Sequence, residues 1–155
     1  MRLLVPLVAA LVPLVITPGV LSYFDVTPKV AILLCGVALI LLYSTENLSN
    51  VQVLIRSRRG RLFALLILAQ WFCCALAAVL SSNRALSLNG GIWRRLGLVT
   101  ETGLLLYVLF AAGWMATNER NVLLLLRAST VSGGVAAVYG IAQYFGLDPL
   151  LAAKA

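Results

Sequence analysis

The sequence contains no histidine, so the side chain most often used as a general base is missing. Acidic residues number 5, and all charged residues together make up 11% of the chain. A soluble domain carries roughly 25% charged residues, so too little polar surface is present to cover a water-soluble globule of 155 residues. The 3 cysteines, Cys35, Cys73 and Cys74, have no metal or redox spacing and all lie inside apolar stretches. In such places cysteine behaves as a small hydrophobe. No metal cluster, glycine-rich phosphate loop or nucleophile–base pair can be assembled, and no cofactor or metal is expected. There is no internal repeat, low-complexity run or soluble domain.

Apolar residues are what the chain has in abundance, at 62% and a mean hydropathy of +1.02. They fall into five blocks, 3–21, 28–43, 62–80, 98–116 and 122–145. Crossing a hydrocarbon core of about 30 Å takes roughly 20 apolar residues in a helix. Lipid cannot satisfy bare backbone groups, so a spanning structure is either helical or a closed barrel. Barrel strands alternate apolar and polar residues, whereas these blocks are continuously apolar. The expected fold class is all-α, a polytopic transmembrane helix bundle of about five helices forming one region over 1–155.

Block one opens with Met1-Arg2 and holds Pro6, Pro13 and Pro18. It is long for a signal core and shows no small-x-small cleavage site before Ser22, so it reads as a retained first helix. A tight loop over Ser22–Thr27 follows, with Thr27 as helix cap and Pro28 in the first turn. The loop Ser44–Arg61 is polar and ends in Arg56-Ser57-Arg58-Arg59-Gly60-Arg61. Such a cluster beside a membrane helix marks the cytoplasmic side, which places the N-terminus inside. The net charge of +7 does not point to nucleic acid, because most basic residues sit at block ends, where they anchor helices against membrane lipids. Block five carries small residues four apart, Ser129, Gly133 and Ala137 on one line, Ser132, Ala136 and Gly140 on the next. Faces of this kind let helices approach closely in a bilayer.

The loop Ser81–Gly97 departs from the charge rule by placing Arg84, Arg94 and Arg95 on the expected outer side. Asn89-Gly90-Gly91 marks a turn, and Trp93 suits headgroup depth. Arginine offers a planar fork of donors matched to phosphate oxygens. Two readings stay open. The arginines anchor a helix end, with Glu101 favouring the helix N-terminus through the macrodipole, or they hold the headgroup of an anionic lipid with Trp93 and Glu101 in support.

Four segments in order, Phe24-Asp25-Val26-Thr27-Pro28-Lys29, Ser82-Asn83-Arg84-Ala85-Leu86-Ser87-Leu88, Gly91-Ile92-Trp93-Arg94-Arg95-Leu96-Gly97-Leu98 and Tyr139 to Pro149, resemble the N-terminal part of bacterial O-antigen ligase/polymerase-like membrane proteins. That resemblance implies an inner-membrane glycosyltransferase. It would pass glycan from an undecaprenyl-diphosphate carrier to a lipid A core or a growing polysaccharide at the periplasmic face. It makes Arg84, Arg94 and Arg95 candidates for contact with the anionic carrier. Members of that family are much longer and carry a large periplasmic loop with arginine and histidine. On this resemblance the chain is expected to be an N-terminal portion of a larger bundle, inactive by itself, with the remaining C-terminal part as its partner. The alternative is a small non-enzymatic membrane module, a transporter subunit or assembly partner.

Overall fold

A computed structural model describes residues 3–15, 26–42, 44–91 and 97–145, the side chains of 44–47 excepted. Seven helices and no strand occur among the described residues: α1 (Leu4–Leu14), α2 (Val26–Leu42), α3 (Ser44–Arg56), α4 (Arg58–Leu80), α5 (Arg84–Asn89), α6 (Leu98–Thr117) and α7 (Glu119–Tyr144). The all-α expectation is met. Three of them, α4, α6 and α7, are long and apolar enough to cross a membrane. At about 1.5 Å per residue, their 23, 20 and 26 residues reach or exceed a hydrocarbon core of about 30 Å. The first two apolar blocks appear as the shorter helices α1, of 11 residues, and α2, of 17. Residues 16–25, which include the rest of block one and most of the expected Ser22–Thr27 loop, lie outside the described residues.

Local sequence sets the helix boundaries. Ser57 caps α4, its hydroxyl accepting from the Gly60 N–H at 2.9 Å, and so starts the helix four residues before the apolar block. Asn118 ends α6 and opens α7, its side-chain oxygen accepting from the Arg120 N–H at 2.9 Å. Asn121 closes the same turn by donating to the Trp114 carbonyl at 2.8 Å and to the Thr117 hydroxyl at 3.1 Å. Both caps satisfy donors that a helix start leaves open. Two expectations need correction. Helix α2 begins at Val26, so Thr27 is inside the first turn and is not the cap. Pro28 is then third, still among the first four positions whose N–H has no intrahelical acceptor. The expected polar loop Ser44–Arg61 is instead α3 followed by the start of α4. The reason is a narrow apolar face: Val51 is buried and Leu54, three residues on, half-buried, while Gln52, Val53 and Arg56 are exposed.

The helices alternate in direction. Val8 meets Gly36 and Val5 shares a cluster with Ile40, so α1 runs antiparallel to α2. Leu34 faces Gly103 and Ile40 shares a cluster with Phe110, Ala111 and Trp114, which makes α2 and α6 parallel. Trp71 bonds Thr102 while Ala78 lies beside Leu98, so α4 runs against α6. One end of the bundle therefore holds the start of α1, the start of α4 with its arginines, and the α6–α7 turn. Helix α5 sits at the other end.

Helix α6 contacts each of the other six helices. Phe110, Ala111 and Trp114 from α6 form one buried cluster with Val5, Ile40 and Val51. Leu106 and Tyr107 pack against a second, Val8, Leu33 and Val37. Tyr107 donates its hydroxyl to the Val5 carbonyl at 2.9 Å, which satisfies a polar tip inside an apolar contact. By contrast, only 6% of the most apolar window is buried in α4 and in α7. In water that much bare leucine and valine would be untenable, whereas in lipid it is the ordinary exterior of a bundle.

Candidate functional site

The polar groups that interrupt the apolar pattern at the α5 end come from three elements. Ser81 follows the last residue of α4, α5 carries Arg84 and Ser87, and α6 carries Glu101 in its first turn. Asn83 positions Arg84 as the first residue of α5 by accepting the Leu86 N–H at 3.2 Å. Ser87 donates back to the Asn83 carbonyl at 3.1 Å. At the far side of this short helix Gly90 adopts φ 78, in the left-handed region that favours glycine. Gly97 then lies so close to the Leu88 and Gly90 backbone that no side chain fits at that position. The chain is thereby pinned just where α6 begins.

Glu101 is half-buried and lines an open cavity of about 320 Å³ with Cys74, Ala77, Ser81, Ser87 and Gly97. A smaller hollow of about 220 Å³ opens between α2, the end of α5 and the first turn of α6, lined by Thr27, Asn89 and Thr100 among others. The first turn of α6 thus stands between two polar-rimmed cavities. Arg84 is exposed, and among the described residues no ion pair joins it to Glu101. The cavity itself presents two hydroxyls and a carboxylate, groups suited to bonding hydroxyl-bearing ligands.

Of the residues singled out from sequence, Arg84 and Glu101 are thus at one end of the bundle. Trp93, Arg94 and Arg95 lie outside the described residues. Ser81, Ser87 and Cys74 were not anticipated as cavity lining. Nor was the bond from the Trp71 indole N–H to the Thr102 hydroxyl, at 3.0 Å, which ties α4 to α6 beneath the cavity. The cysteines lie on the apolar helices α2 and α4. Cys35 and Cys73 are exposed and Cys74 is half-buried, so the first two face outward from the bundle and not into its core.

No family model, curated protein or solved structure matches the chain.

Proposed function

We propose that this multi-pass membrane protein is part of an O-antigen ligase-like glycosyltransferase. In this reading the α5 end meets the diphosphate of a lipid-linked glycan. The observation that carries it is an exposed Arg84 at the start of α5, three residues before Ser87, which lines one cavity with Ser81 and Glu101. An anionic carrier and its sugar hydroxyls need those two kinds of group side by side. The resemblance of the segments around Arg84 and Arg94-Arg95 supports the same assignment. The arginine cluster Arg56–Arg61 at the opposite end supports an orientation with that end in the cytoplasm and α5 facing the periplasm of a bacterial inner membrane. Arginine there would stabilise the leaving diphosphate electrostatically, and the rest of a larger bundle would supply the remaining groups.

The test is made in the native full-length gene. Deleting it should abolish transfer of glycan from the undecaprenyl carrier, read on lipopolysaccharide or polysaccharide gels. Arg84→Gln, and separately the pair Arg94→Gln and Arg95→Gln, should each lower transfer about tenfold or more if charge-assisted bonds to phosphate are lost. Loss on deletion with normal transfer in the glutamine variants would return the arginines to helix anchoring. Normal transfer after deletion would favour the non-enzymatic membrane module, a reading consistent with the open space beside Gly133, Gly134 and Gly140 on α7.

A further inference from the structure

A second feature lies away from the α5 end and does not depend on the glycan reading. Helices α1 and α7 flank an open, almost wholly apolar groove of about 530 Å³. Leu7, Leu11 and Leu14 form one wall, and Leu124, Ala128 and Val131 the other. Ser132 lies at its floor with 1% of its surface exposed, and its hydroxyl is satisfied by the Ser129 carbonyl at 3.2 Å. The groove therefore offers a long aliphatic occupant no polar penalty. One cation lines it, Arg127, which is exposed and has no ion pair among the described residues.

Two dimensions identify the occupant. From Leu3 to Leu14 the groove follows α1 for about 16 Å at 1.5 Å per residue, close to the roughly 15 Å depth of one leaflet of a 30 Å core. Arg127 lies eight residues into α7, about 12 Å below its start at Glu119. Helical side chains lean toward their own N-terminus, which for α7 is the basic end, so Arg127 extends toward the headgroups of that leaflet. An apolar slot one leaflet deep, with a cation in its α7 wall whose side chain leads back toward the headgroups, matches an anionic headgroup joined to an acyl chain. A protein helix seated there would have to cover the arginine with a carboxylate of its own.

We propose that the α1–α7 groove binds an anionic phospholipid of the leaflet at the basic end, one acyl chain lying along α1 and its phosphate held by Arg127. The full chain, purified in mild detergent, is titrated with phosphatidylglycerol and with phosphatidylcholine of equal chain length, and bound lipid is counted by native mass spectrometry. Both headgroups carry the phosphate, but the quaternary ammonium of phosphatidylcholine offsets its charge and is repelled by Arg127, so phosphatidylglycerol should bind about fivefold more tightly. Arg127→Gln should bring the two lipids to within about twofold, and Arg127→Lys should keep most of the preference. Ala128→Trp, which fills the slot, should reduce binding of both lipids together. Circular dichroism verifies that each variant retains its helices. Equal binding of the two lipids by the unaltered chain would overturn the proposal, as would an undiminished preference in folded Arg127→Gln. Disulfide-linked dimers through Leu11→Cys, in a background with the native cysteines replaced by alanine, would also overturn it by showing a second copy in the groove.

Discussion

Thr102 shows how a single polar atom organises the α4–α6 contact. Its hydroxyl donates to the Leu98 carbonyl at 2.7 Å and accepts from the Trp71 indole at 3.0 Å, so one oxygen serves both helices. Thr102→Val keeps the shape and leaves the indole N–H without that acceptor. Bonds of this kind between membrane helices are worth about 0.6 kcal/mol on average and up to about 1.7. The expected outcome is a loss of that size in equilibrium unfolding in mixed micelles, with Thr102→Ser close to the unaltered protein; equal stability of the valine variant would show that the bond is not a tie. None of this was legible beforehand, because one threonine in an apolar run produces no pattern. Arg84 and Glu101 were legible for the opposite reason, since a charge beside a 62% apolar background stands out wherever it falls. Ser81 and Ser87 are common loop residues, and only the approach of Gly97 to α5 turns them into a lining.

Helix α3 is the element that hydropathy passes over. Among its described side chains the apolar face packed inward is Val51 and Leu54, and averaging along the sequence dissolves it into the polar residues around it. What the sequence could have offered was the spacing of Val51 and Leu54, which is helical and not loop-like. Gly113 on α6 accommodates it: a Cβ there would lie 3.0 Å from the Val51 nitrogen and 3.1 Å from the Asn50 carbonyl carbon. The obstacle is backbone, which cannot swing aside as a side-chain tip can. Gly113→Leu is therefore expected to push α3 off α6 at a cost of about 1–3 kcal/mol, detected as faster maleimide labelling of Asn50→Cys in a background free of native cysteine. Unaltered labelling would mean that α3 is held elsewhere. The small residues of α7 were legible as a face but not as a pairing. Ser132 is buried, whereas the positions beside Gly133, Gly134 and Gly140 are open, since spacing says how close a partner can come and not which partner comes.

For the whole molecule, continuous apolar blocks gave the all-helical class, because lipid leaves the backbone so few alternatives, whereas caps such as Ser57 and Asn118 were not read from the sequence. Hydropathy alone could not rank the spans by burial. The blocks that became α4, α6 and α7 look alike as strings of apolar residues, yet a third of the α6 window is interior against 6% in each of the others. Exposure to lipid and exposure to a neighbouring helix place the same demand on composition. The central position of α6 bears on the order in which the chain is made. Chains enter the membrane N-terminus first, and helices insert before they associate. Helices α1 to α5 are thus made before their shared partner, whose residues start at Leu98, has been translated. Until then Val5, Ile40 and Val51 lack the Phe110 and Trp114 surface they cluster with. A chain terminated at Gly91 should accordingly be cleared by membrane proteases well before the 155-residue one, as a pulse-chase would record; equal lifetimes would mean that the earlier helices assemble without it. Ribosomal progress past α6, more than insertion of any single span, is then the event that commits this protein to its final form.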